Sequence, residues 1–455
     1  MAAAGRDSRA SLPASRDRSE LLRLATAGSV DDGKSTLIGR LLFDSKSIFT
    51  DQLEAIERTS AQRGTEFTDL ALLTDGLRAE REQGITIDVA YRYFASPNRN
   101  FILADCPGHV QYTRNTVTGA STADAMVLLV DARKGVLEQT RRHLAVAALL
   151  RVPHVIVAVN KMDLVDYDQA TYEAVSASVT ALADELGIEH AVVIPVSALE
   201  GDGVVTRTVH APWYDGPSLL ELLEELPVAD ETTGERFRFP VQLAIRPQDA
   251  ARDPQHREYR GYAGQVASGI VRVGDPVVVL PQGRHTTIAG IDTADGELDS
   301  AFASQSVTLR LADEIDITRG DLIAAAEGSP EPTQSLDGMV AWLHERPLRV
   351  GQRVLVKHTT RTVPAIVSDI SGRLDLDNLA PEAADTLQLN DIGRVVLRLA
   401  SPIMPDEYLV SRRTGSFLLI DPQSQNTLAA GMIRGDKAFS AQATIGLGQF
   451  WAWEI

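Results

Sequence analysis

The chain has 455 residues, 44% hydrophobic and 23% charged, with a formal net charge of -18 and a single cysteine. That length leaves room for about two to four domains of roughly 100 to 200 residues and argues against one. The acidity excludes a broad surface for nucleic-acid phosphates, which a negative protein repels, while leaving room for a local basic patch. A lone thiol, Cys106, closes no internal disulfide, which fits a reducing cytoplasm, the expected compartment.

Residues 1–20 mix Arg, Ser and Ala with Asp7, Asp17 and Glu20 and lack the apolar centre of a secretory signal, so a disordered leader is expected. From Leu22 to about Glu225 short apolar strands alternate with amphipathic helical stretches, the pattern of a mostly parallel sheet covered by helices. Strands are expected at Leu22 to Ala27, Ile87 to Phe94, Phe101 to Ala104, Ala125 to Val130, His154 to Val159 and Ala191 to Pro195. Helical stretches start near Lys34, Val110, Glu138, Asp168 and Ser218. The longest apolar runs, Ala125 to Val130 and Val155 to Val159, fall far short of the roughly 18 residues of a membrane helix, and no membrane partner is expected. Residues 227–236, opened by Pro227, read as a linker between this first unit, residues 21–226, and the C-terminal half of the chain. Residues 237–330 and 331–433 carry short Val/Ile/Leu runs broken by Gly-Asp, Gly and Pro turns, and predict two all-β barrels ahead of a tail at 434–455.

Gly28-Ser29-Val30-Asp31-Asp32-Gly33-Lys34-Ser35, followed by Thr36, is a complete phosphate-binding loop between a strand and a helix. Its glycines let backbone N–H groups face phosphate oxygens, Lys34 supplies a point charge to the β- and γ-phosphates, and Ser35 offers a hydroxyl to Mg²⁺. Asp105-Cys106-Pro107-Gly108 follows the strand at 101–104. Alone this would be a turn; after a phosphate loop, Asp105 becomes a Mg²⁺ holder and Gly108 an amide donor to the γ-phosphate. Asn160-Lys161-Met162-Asp163 ends another strand. A carboxylate at Asp163 accepts from both N1–H and the 2-amino group of guanine, donors that adenine lacks, so GTP is favoured over ATP. Asn160 braces the loop and the Lys161 alkyl chain lies over the base. Ser197, Ala198 and Leu199 offer backbone N–H groups to the guanine carbonyl, although a helix cap would use the same residue types. Thr86 is the candidate that reaches Mg²⁺ only with a γ-phosphate present, and His109 the candidate that orients the attacking water. Cys106 reads as packing. Arg78 and Arg81 could supply an arginine finger, but a solvated helical face is the preferred reading.

Together these motifs resemble the translation-factor GTPases, and more closely the large GTPase subunit of the two-subunit bacterial ATP sulfurylase. The narrower likeness rests on GSVDDGKSTLIGRLLFDS at the phosphate loop, DGLRAEREQGITIDVAYRYF from Asp75 to Phe94 and DCPGHVQYTRNTVTGAS from Asp105 to Ser121. RGYAGQVASGIVRVGDPVVVLPQG from Arg260 to Gly283 extends it into the first barrel. The resemblance implies a multidomain α/β P-loop GTPase domain followed by two all-β barrels, as in elongation factor Tu. It implies GTP hydrolysis with Mg²⁺, and a hetero-oligomer with a small adenylyltransferase subunit through which ATP and sulfate enter; nucleic acid is not an expected partner. No second phosphate loop, SGGxDS loop or HxGH motif is present, so the chain shows no ATP-sulfate chemistry of its own. With about 22 residues after the second barrel, a fused adenylylsulfate kinase is not expected. Two rivals share the motifs: a factor delivering aminoacyl-tRNA, and a guanine-nucleotide scaffold that hydrolyses GTP negligibly without a partner.

Overall fold

In the computed structural model the described residues are 21–46, 70, 89–109, 113–188, 191–227, 235–247, 257–375 and 381–434. The first unit is built on six strands: β1 (Leu21–Gly28), β2 (Ala90–Ala95), β3 (Asn100–Asp105), β4 (Ala125–Asp131), β5 (His154–Asn160) and β6 (Ala191–Pro195). They lie in the order β2-β3-β1-β4-β5-β6, parallel except that β2 runs antiparallel to β3 at one edge. The observed strands extend one residue past the expected ones at Gly28, Asp105, Asp131 and Asn160, and those extra residues carry the site.

Both faces of this sheet are covered, which is why β4 reads as an unbroken apolar run and is buried at every position. On one face Leu22, Leu24, Leu103, Val127 and Ile156 pack with Leu37, Ile38 and Leu41 of α1 (Lys34–Asp44) and Leu219 and Leu223 of α5 (Leu219–Glu225). On the other face Ala25, Met126, Leu128 and Val157 meet α2 (Thr113–Ala120), α3 (Glu138–Leu149) and α4 (Gln169–Glu185). Local chemistry sets the helix starts. Asp168 accepts from Thr171 N at 2.8 Å, and Ser218 and Glu221 form a reciprocal capping box at 3.3 and 2.8 Å.

Two closed antiparallel barrels come next in the chain. The first ring runs Pro276–Leu280, Leu322–Ala325, Arg238–Ile245, Gly261–Gln265, Ser306–Leu311, Arg284–Thr293 and back to the start. The second runs Arg353–His358, Ser416–Ile420, Thr427–Ile433, Thr333–Trp342, Ile392–Ile403, Arg361–Leu374 and back. Closure pairs both edges of each sheet, so neither leaves its ladder open.

The second barrel touches both other units. Tyr408, Met339, Ala341 and Met432 join the apolar cluster of the first unit. Tyr408 Oη donates to Leu150 O at 2.8 Å and Arg151 Nη1 to Leu409 O at 2.6 Å. Toward the first barrel, Arg238 Nε lies 2.9 Å from Asp406 Oδ2, both side chains nearly sealed from water, and Thr414 Oγ1 donates to the same carboxylate oxygen at 2.6 Å. No helix among the described residues is long and apolar enough to cross a membrane.

Candidate functional site

The C-terminal ends of the parallel strands gather the candidate site residues, as expected for an open α/β sheet. The loop after β1, Asp105 at the end of β3, Asp131 at the end of β4, Asn160 at the end of β5 and Ser197 beyond β6 all stand on that edge. Register enforces it: Thr26 pairs with Asp105 and Asp131 with Asn160.

The phosphate loop is shaped by residues that only glycine or a left-handed backbone can supply. Gly33 caps α1 at φ 96° and no side chain caps the helix there, so its first N–H groups have no internal acceptor from a cap. A Cβ on Gly33 would stand 2.4 Å from Asn160 Nδ2. Lys34 is buried and donates to Gly28 O and Ser29 O at 2.8 Å each. Burial pulls its pKa down, and the nearby Asp105 and Asp32 carboxylates oppose that shift. Val30, Asp31, Ser35 and Thr36 complete the loop, with Asp31 at φ 69°. Asp32 turns inward: its carboxylate accepts from Ser29 N at 2.8 Å, and its burial raises its pKa, opposed by that bond and by Lys34.

Asp105 is buried and receives a bond from Thr26 Oγ1 at 3.3 Å. Gly108 packs on the phosphate loop so closely that an added Cβ would meet Lys34 Nζ at 2.3 Å and Gly28 O at 2.4 Å. His109, half-buried, follows it directly. Cys106 is fully buried in the apolar cluster, which pushes its thiol pKa far up and matches the packing role. Thr86, Arg78 and Arg81 lie outside the described residues.

Asn160 ties the two halves together, donating Nδ2 to Asp32 O at 2.7 Å and accepting from Ala198 N at 2.9 Å on Oδ1. Lys161, at φ 64°, donates to Asp31 O and pairs with Asp131 Oδ2 at 3.0 Å. Asp163 accepts from Ser197 Oγ at 2.6 Å, and Leu199 stands exposed at the loop's end.

Several contributors were not singled out by sequence. Asp131 is buried, which opposes its ionisation, yet bonds from Arg133 and Lys161 hold its pKa well below the usual carboxylate range. His143 of α3 is buried, and desolvation with the charges of Lys34 and Arg142 lowers its pKa to about 3. Arg40 of α1 donates to the carbonyls of Ala198 and Leu199. Asp131 carried the signal used for Asp105 and Asn160, a polar residue closing an apolar strand. Nothing local in the sequence distinguishes Arg40 or His143 from a surface residue.

The described residues hold no cluster of three or more His, Cys, Asp or Glu side chains suited to a metal. Mg²⁺ needs no such cluster, since this ion takes one or two carboxylates plus substrate phosphate oxygens and water. A buried carboxylate, Asp105, within the field of Lys34 and beside the hydroxyl-bearing first turn of α1 supplies that donor set.

A glycine-cradled lysine, a buried strand-end carboxylate and a loop after β6 tied to the phosphate loop by Asn160 are the arrangement of a GTP-binding protein of the elongation-factor type. Residues 19–228 match the Elongation factor Tu GTP binding domain, and residues 335–434 match the GTP-eEF1A C-terminal domain-like family. Among curated relatives, sulfate adenylyltransferase subunit 1 of Laribacter hongkongensis is 50% identical over 92% of this chain and 86% of its own length. The same-named protein of Bacteroides fragilis is 48% identical over the same shares. The bifunctional enzyme CysN/CysC of Mycobacterium tuberculosis is 54% identical over 91% of this chain and 67% of its own length. The chain belongs to the sulfate adenylyltransferase subunit 1 family.

Proposed function

We propose that the chain hydrolyses GTP to drive the reaction of ATP and sulfate to adenosine 5'-phosphosulfate and pyrophosphate, with adenylyl transfer carried out by a separate small subunit. The observation that carries this reading is near 50% identity, over 92% of the chain, to proteins named sulfate adenylyltransferase subunit 1. The absence of nucleotidyltransferase motifs from the sequence supports the division of labour.

In this reading Lys34 and the α1 N-terminus hold the phosphates, and Asp163, with the amides of 197–199, reads guanine. Bound Mg²⁺, held by Ser35, Thr86 and, through water, Asp105, would neutralise charge building on the phosphate oxygens. His109 orients a water whose oxygen attacks the γ-phosphorus. The bond to the β–γ bridging oxygen breaks, leaving GDP and phosphate. Gly108 donates its amide to the γ-phosphate, and loss of that phosphate releases the loop that carries Thr86, the coupling step that communicates with the partner.

The test is GTP turnover by the purified chain, alone and with a candidate small subunit, ATP and sulfate. Acceleration by the three together supports the proposal. Turnover that ignores them and responds to ribosomes or tRNA would assign the chain to translation.

A further inference from the structure

The loop that follows β6 is held on its carbonyl side by an arginine of α1. The amides of residues 197–201 are almost all used inside the protein. Ser197 N donates to Asp202 O at 2.9 Å and Gly201 N to Ser197 O at 2.8 Å. Ala198 N donates to Asn160 Oδ1 at 2.9 Å and Glu200 N to Ser197 Oγ at 3.2 Å. Leu199 N alone has no acceptor among the described residues. On the carbonyl side of the same loop stands Arg40, whose Nε donates to Ala198 O at 3.4 Å and whose Nη2 makes a short bond to Leu199 O.

The geometry is specific to this side chain. Arg40 is four-fifths buried, is held by Asp44 one turn on at 3.8 Å, and lies 5.9 Å from the centre of the Phe43 ring. Gly201, at φ +88°, leaves the approach open: a Cβ there would meet Arg40 Cδ at 3.3 Å. Ala198 O and Leu199 N–H belong to one peptide unit, so a guanidinium on the oxygen both fixes that plane and draws electron density from the nitrogen. The N–H becomes a stronger donor.

We propose that Arg40 is a positioning residue for base recognition: it aims and polarises Leu199 N–H, the amide of the 197–199 loop left to meet the guanine 6-oxo group. This inference rests on the guanine-nucleotide reading above and adds a specificity determinant to it. It also makes α1 a direct mechanical link, since Lys34 at one end of the helix holds the phosphate loop and Arg40 the base loop.

The experiment compares GDP with 6-thio-GDP, which keeps the N1–H and 2-amino donors and replaces only the 6-oxo acceptor by sulfur. Dissociation constants for both, with ADP as reference, are measured on the full chain and on Arg40→Met and Arg40→Lys. Wild type should prefer GDP over 6-thio-GDP. In Arg40→Met that preference should shrink by about fivefold, one ordinary hydrogen bond's worth, while 6-thio-GDP binding changes little. Arg40→Lys should retain part of the preference. Equal weakening of both nucleotides in either variant, or an unchanged preference in both, overturns the proposal, because a merely structural arginine would act on the two alike. Should Arg40→Met fail to fold, Arg40→Lys still decides: a preference equal to wild type overturns the proposal. Wild type that fails to prefer GDP over ADP would instead overturn the guanine reading itself.

Discussion

Gly108→Ala tests whether the segment after β3 and the phosphate loop work as one packed unit. The new Cβ would lie 2.3 Å from Lys34 Nζ, 2.4 Å from Gly28 O and 3.0 Å from Ser29 C. Two of those atoms are backbone, so rotating a side chain does not relieve the contact; either the loop or the 105–109 segment must move. Overpacking of this kind costs about 1–3 kcal/mol. Lys34 also donates to Gly28 O and Ser29 O at 2.8 Å each, and a hydrogen bond to a charged group is worth about 1.5–3 kcal/mol. Displacing Lys34 by the equivalent of one such bond predicts a loss of about 2 kcal/mol in nucleotide binding, or about 30-fold in Kd. Titration of the variant with a non-hydrolysable GTP analogue and with GDP, beside a denaturant midpoint, reads both effects. A Kd within about twofold of wild type, with an unchanged midpoint, would refute the reasoning, since measured tolerance would mean that this contact carries no energy.

Asp163→Asn should turn the preference from GTP toward XTP, because the amide donates where the carboxylate accepted; competition between the two nucleotides reads it, and retained GTP preference contradicts the assignment. Arg238→Met should destabilise the protein by about 3 kcal/mol by leaving Asp406 buried without its cation, and adding Asp406→Leu should recover part of that loss in denaturant unfolding; a double variant worse than the single one opposes the idea. His143 is held neutral with a pKa near 3 against about 6.5 unfolded, so protons bind the unfolded chain more readily. Its contribution to stability is full above about pH 6.5 and is lost as pH falls from there toward 3. His143→Gln should flatten the acid limb of the stability curve in that window, and an unchanged limb would show that other groups dominate it.

Much of this was legible in the sequence because backbone chemistry carried the signal. The phosphate loop needs glycine at Gly33 for a left-handed cap and at Gly28 for φ 147°, so its spacing survives as a pattern. β4 announced itself because both faces are covered and every residue is buried. What stayed hidden depends on groups far apart in the chain. The spacing names Asp32 as a loop residue and Asn160 as a brace, but not that Asn160, 128 positions on, fixes the Asp32 carbonyl from the next strand but one. Arg40 looks like a solvated helix residue until the 198–199 carbonyls arrive over it. The Arg238–Asp406 pair spans 168 positions and joins two barrels whose strands carry only period-two patterns, which define a face but not what that face meets. The antiparallel direction of the edge strand β2 was likewise invisible, although the strand itself was expected, since an alternating run specifies neither direction nor neighbour.

The most direct test of the proposed coupling is the amount of adenosine 5'-phosphosulfate formed by the chain and a candidate small subunit from ATP and sulfate, with GTP, with a non-hydrolysable GTP analogue, and with neither. GTP should carry product well beyond the level reached in its absence, in step with phosphate release, and the analogue should fail to do so. Equal product in all three, with phosphate released regardless, would show that GTP cleavage and sulfate activation are separate reactions and would contradict the account.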